Sequence, residues 1–187
     1  MKSALIAVAV FLLGSAALAG EGERKTILDY YLTLEADRWF GPREGSREER
    51  LADLEKKDVR HGYLRWRAGS VETTEMKLFK FSDGTPLLAQ AHIGCCCEGT
   101  CVRRIRFFAD RDGKLVDVTA EVWPKLDLED KRKVIARRLK PKERWMADRL
   151  ADMAVYQLPR KRAAIFLEAD GRVMLRFRLR ADKFVRY

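Results

Sequence analysis

Val102-Arg103-Arg104-Ile105-Arg106-Phe107-Phe108-Ala109-Asp110-Arg111-Asp112-Gly113-Lys114-Leu115-Val116-Asp117-Val118 reads as two strands folded about an Asp-Gly turn. Asp-Gly suits a two-residue hairpin turn, in which both central residues take positive φ. With Asp112 and Gly113 at the turn, Arg111 stands opposite Lys114. Ile105, Phe107 and Ala109 then share one face with Val116, Val118, Ala120 and Val122. A one-residue slip would set Phe107 against Asp117 and mix apolar with charged positions, so the hydrophobic pattern fixes the register.

The same texture extends upstream. Gly62 to Arg67, Glu72 to Phe81 and Leu87 to Ile93 read as strands, with Ser82-Asp83-Gly84-Thr85 as a turn and Pro86 at a strand start. Before them, Thr26 with Asp29 and Ser46 with Glu49 read as capping boxes opening two short helices, the second over 47–57. Downstream, Pro124 ends the strands, Asp127 caps a basic helix to about Leu139, and Pro141 opens another that Pro159 stops. Residues 163–179 form a last hairpin. A three-residue loop, Ala169-Asp170-Gly171, with Glu168 opposite Arg172, gathers Ile165, Leu167, Val173, Leu175, Phe177 and Leu179 on one face. The expected fold is α+β: an antiparallel meander sheet with short N-terminal helices, one or two basic helices and a C-terminal β-hairpin that completes the sheet.

Met1-Lys2 precedes an uncharged apolar run that ends Ala17-Leu18-Ala19, and the chain then turns abruptly polar. This is the pattern of a secretory signal peptide over 1–19, cleaved near Ala19. It is short for a membrane span, so no transmembrane segment is expected in the mature chain. Residues 20–187 have the length of one domain. The expected location is the periplasm or the medium, where nucleic acid is not an expected partner.

The net charge of +10 is unevenly placed: residues 131–187 hold 18 basic and 6 acidic side chains. An exported protein with such a segment suits an acidic envelope partner. The candidate contacts are Lys131, Arg132, Lys133, Arg137, Arg138, Arg172, Arg176 and Arg178, read either as one basic surface or as separate solvated faces. The four tryptophans read as core or sheet-edge packing.

All four cysteines fall in His92-Ile93-Gly94-Cys95-Cys96-Cys97-Glu98-Gly99-Thr100-Cys101. In an oxidising compartment Cys95, Cys96, Cys97 and Cys101 read first as disulfide-forming. Each two-bridge pairing contains one very tight ring, and a single Cys96–Cys101 or Cys97–Cys101 bridge is easier to build. No cofactor is expected on that reading. The alternatives are a thiolate site for Cu or Zn, using His92, Cys95, Cys97 and Cys101, and a thiol redox pair. No nucleophile elbow, phosphate loop or zinc-protease motif is present, which argues against an enzyme.

Ile27-Leu28-Asp29-Tyr30-Tyr31-Leu32, Gly62-Tyr63-Leu64, Leu78-Phe79-Lys80 with Asp83-Gly84, and Asp117-Val118-Thr119-Ala120-Glu121-Val122-Trp123-Pro124 together resemble a group of small exported bacterial proteins of unknown role. The resemblance covers about residues 26–125. It implies a shared fold, brings no catalytic residues with it, and leaves the cysteine cluster unexplained. The function expected from the sequence is a non-enzymatic exported protein that binds an acidic envelope component through its basic C-terminal third.

Overall fold

The computed structural model describes residues 25–35, 42, 44–67, 72–95 and 101–187. The expected signal peptide, Trp39, Cys96 and Cys97 lie outside them. Both N-terminal capping boxes form. Thr26 caps α1 (Ile27–Thr33), and Ser46 caps α2 (Arg47–Ala52). The second helix stops well short of 57, because Leu54–Asp58 leaves it as an edge strand, β1.

That strand begins a six-stranded antiparallel meander in chain order. Its other members are β2 (Tyr63–Arg67), β3 (Thr73–Lys80), β4 (Pro86–Cys95), β5 (Cys101–Arg111) and β6 (Lys114–Asp117). The polar sequence of β1 is held by its neighbour: the Glu55 carboxylate reaches Arg65 at 3.1 Å and Arg67 at 2.9 Å, both on β2. Exposed Lys56 and Lys57 on the open edge discourage pairing with another chain.

The Asp112-Gly113 turn has two residues, both at positive φ, and Arg111 pairs with Lys114 as expected. The strand after it ends at Asp117, earlier than the hydrophobic pattern indicates. Val118 donates to the Phe107 carbonyl at 2.9 Å, but its own carbonyl turns to accept from Glu121 and Val122, starting a short helix, α3 (Thr119–Val122). The Thr119 hydroxyl takes the Phe107 N–H at 2.9 Å in place of a strand carbonyl. Val118 and Val122 stay buried.

The C-terminal hairpin does not complete this sheet. It belongs to a second, four-stranded antiparallel sheet in the order β10–β9–β8–β7, built from β7 (Val155–Gln157), β8 (Ile165–Ala169), β9 (Arg172–Arg180) and β10 (Lys183–Arg186). Its Asp170-Gly171 turn has two residues, so Ala169 faces Arg172 and Glu168 faces Val173. A bulge between Leu167 and Glu168 then absorbs one residue, and Leu167 faces Leu175 while Ile165 faces Phe177. The expected apolar face is kept only in part: Ile165, Leu167, Leu175 and Phe177 enter the core, but the bulge turns Met174 inward, leaves Val173 exposed opposite Glu168 and sets Arg172 opposite the buried Ala169.

The two sheets meet across one core. Phe184 of β10 packs against Phe79 of β3 and Phe107 of β5, with ring centroids 5.2 and 4.9 Å apart. Trp123 joins them, stacking on Phe107 at 5.2 Å and touching Phe177 at 4.6 Å, Tyr156 and Phe184 at 5.5 Å. The basic helix α4 (Leu128–Arg138), capped by Asp127, seats Ile135 and Leu139 in this core. A 3₁₀ segment (Pro141–Met146) and α5 (Ala147–Met153) follow, seating Ala147, Leu150 and Ala151 there. On the far face of the first sheet, Ile27, Tyr30 and Tyr31 of α1 cover Leu64, Trp66, Met76 and Leu88. No helix among the described residues is long and apolar enough to cross a bilayer.

Candidate functional site

The cysteine segment sits at one end of the first sheet. Cys95 closes β4, Cys101 opens β5, and their backbones are direct partners across the ladder. The hydrogen-bonding phase follows from Phe107, whose N–H and C=O both turn away from β4, toward Thr119 and Val118. Hydrogen bonds alternate along an antiparallel pair, and β5 pairs with β4 without a register shift from 101 to 109. Odd positions of β5, Cys101 among them, are therefore non-hydrogen-bonded partners of β4, the closer of the two pair types.

His92 occupies the opposite parity. It is buried on the α1 side of the sheet, with Nδ1 2.9 Å from the Thr74 hydroxyl. Its ring lies over Gly94, where an added Cβ would come within 2.7 Å of Nε2. Positions 95 and 101 share the parity of Ala91 and Ile105, which belong to the inter-sheet core. His92 and positions 95 and 101 thus have opposite parity in the ladder.

The eight basic residues read from the sequence fall into two groups. On α4, the Lys131 ammonium lies 5.2 Å from the Tyr156 ring centroid, and burial and then nearby Arg103 lower its pKa. Arg132 pairs with Glu129 and Asp148, and Lys133 with Glu129 at 3.4 Å. Arg137 and Arg138 are exposed on the last turn. Arg172 joins this group through Glu143 of the 3₁₀ segment, 3.6 Å away.

Arg176 and Arg178 form the second group. They alternate along β9 with Leu175 and Phe177, which enter the core, and so lie on the outer face of the second sheet. Arg176 sits over the Phe166 ring at 5.8 Å and Arg178 over Tyr187 at 4.9 Å. The α4 group lies on the side of the second sheet that faces the core, so these residues make two basic faces. The sequence reading missed Arg180 and Lys183 at the β9–β10 turn, since that turn, Ala181-Asp182, carries no glycine.

It also missed Trp145. Trp66 is buried and Trp123 joins the two sheets, but Trp145 is 78% exposed on the 3₁₀ segment. The inward positions there are Glu143, Met146 and Ala147, then Leu150 and Ala151. That helical spacing was the available signal that Trp145 points out.

The groups most like catalytic machinery serve as a structural clip. Lys77 is 4% exposed and donates to the carbonyls of Pro159 at 3.1 Å and Arg160 at 2.5 Å. Burial lowers its pKa. Glu75 accepts from Tyr63 Oη at 2.9 Å and from the Leu158 N–H at 2.9 Å, and burial together with that carboxylate raises the Tyr63 pKa. Asp58 caps the turn at His61 and pairs with Arg160. Despite the opposing effect of burial, hydrogen bonds from Arg160 and His61 hold the Asp58 pKa down to about 2. Each of these groups ties the β7–β8 connection to the first sheet.

No family model matches the chain, and no curated protein matches it. Among solved structures it is similar to a domain of an uncharacterized protein from Porphyromonas gingivalis W83, with a TM-score of 0.48 and 14% identity. The match covers 76% of this chain and 89% of that one.

Proposed function

We propose that the chain is an exported, non-enzymatic protein that binds an acidic envelope component through its basic C-terminal third. The observation that carries this reading is the charge left uncompensated there. Arg137 and Arg138 on α4, and Arg176 and Arg178 on the second sheet, have no acidic partner among the described residues. Surface arginines held over aromatic rings lose little freedom on meeting an anion, and a guanidinium engages carboxylates and phosphates in two-pronged fashion. The Met1–Ala19 leader supplies the compartment in which such a partner is reached.

Heparin, a soluble polyanion, serves as the test probe. The folded mature chain is expected to be retained at low salt. The variants Arg137→Gln/Arg138→Gln and Arg176→Gln/Arg178→Gln should each elute earlier with unchanged thermal unfolding. A folded wild type that passes through unretained contradicts the reading.

A further inference from the structure

We infer that the helical tip from Arg137 to Arg149 docks on an anionic lipid bilayer, with Trp145 entering the headgroup layer. This rests on the acidic-partner reading and narrows it to one partner and one patch. Trp145 is 78% exposed, more than any other large apolar side chain among the described residues. A single exposed apolar side chain is ordinary on a protein surface, so the setting of this indole among cations carries the argument. None of the hydrogen bonds, ring contacts or cation–π contacts among the described residues engages it. Its neighbours Met146, Ala147 and Leu150 point into the core, so the helix is already seated and the indole is left over on its outer side.

The surroundings are cationic. Lys142 lies three residues before Trp145 and Arg149 four residues after, on the same side of the helix, with Arg144 adjacent. Arg137, Arg138 and Lys140 lead into the segment, and all six cations are exposed. The two acids of the stretch are occupied. Glu143 turns inward, accepts from the Lys140 N–H at 3.4 Å and pairs with Arg172. Asp148 pairs with Arg132. The tip therefore presents uncompensated positive charge around one indole. Cations alone suffice for a soluble polyanion. A projecting tryptophan among them matches the boundary of a bilayer, where the indole ring meets acyl chains, its N–H stays hydrated, and lysines and arginines meet lipid phosphates.

The test is co-sedimentation with mixed phosphatidylglycerol–phosphatidylcholine vesicles, compared with pure phosphatidylcholine vesicles. The wild type should bind the anionic vesicles preferentially. Trp145→Ala should lower that binding about tenfold, and Trp145→Phe should restore part of it. Lys142→Gln/Arg149→Gln should lower it about fivefold for each charge removed. All these residues are exposed, so thermal unfolding should be unchanged, and Trp145→Ala should elute from heparin with the wild type. Equal vesicle binding by wild type and Trp145→Ala overturns the inference. A wild type retained by heparin but not by anionic vesicles overturns the tip and leaves the broader reading standing. Failure on both probes removes both.

Discussion

Ala181 and Asp182 adopt positive φ in succession, at 44° and 63°, to turn β9 into β10. Asp182 has a reason to be there: its carboxylate accepts from the Ser82 N–H at 2.7 Å and the Ser82 hydroxyl at 2.8 Å, fastening this turn to the β3–β4 turn. Ala181 has no such contact and carries the steric cost of a left-handed L-residue. Ala181→Gly is expected to stabilise the fold by about 1 kcal/mol, raising Tm by about 2–4 °C. Asp58 gives a pH prediction. Its folded pKa, about 2, lies below the ordinary aspartate value of 3.8. The folded state therefore binds fewer protons, and the stabilisation is complete above that value and lost as pH falls from about 4 toward 2. Asp58→Asn should be less stable than wild type at pH 7, and the gap between them should close over that acid window in thermal melts. A gap independent of pH would show that the carboxylate charge is not what holds Arg160 and His61.

At the scale of elements, Cys95 and Cys101 stand opposite one another at a non-hydrogen-bonded position of the β4–β5 ladder. Cα atoms at such pairs lie about 4.5 Å apart, inside the range a disulfide spans. In the variant Cys96→Ser/Cys97→Ser, oxidation is expected to join the remaining two cysteines, giving no titratable thiols in denaturant and a mass two hydrogens below the reduced chain. Two free thiols after oxidation would contradict this. The cluster's residue types were plain in the sequence, but that Cys95 faces Cys101 depends on the β4–β5 register, and the type of that pair depends on the ladder phase, read six residues away at Phe107. Elements with local chemistry were legible in the same way: the caps at Thr26, Ser46 and Asp127 and the Asp112-Gly113 turn all form where the residues indicate. Elements made by their partners were not. The polar strand β1 exists through its pairing with β2 and the Glu55 ion pairs, and β7 is three residues long. The bulge at Leu167/Glu168 reverses side-chain parity along β9, burying both Met174 and Leu175 and leaving Val173 exposed, which an unbroken alternation could not show.

At the scale of the molecule, periodicity gave each strand a buried and an outer face without saying which sheet it would join. The second sheet arises because Phe177 and Phe184 have a face of their own to cover, the Phe79–Phe107 side of the first sheet, with Trp123 between. Trp123→Ala removes a ring that touches strands of both sheets and should cost about 3 kcal/mol or more. The two sheets are expected to lose stability together, so near-ultraviolet and far-ultraviolet melts of the variant should shift by the same amount. Separate transitions would mean that the sheets fold as independent units. The basic character of residues 131–187 was legible from composition. Its division into a helical face and a sheet face, and the exposure of Trp145 between cations, required the packing of α4 and α5.

The proposed function rests on uncompensated cations of this third of the chain binding an acidic partner. Its most direct test is the equilibrium affinity of the folded mature protein for heparin across a salt series. Screening predicts that affinity falls steeply as ionic strength rises, and that replacing Arg137, Arg138, Arg176 and Arg178 by glutamine flattens the dependence. Affinity indifferent to salt, or a slope unchanged in the quadruple variant, would contradict it.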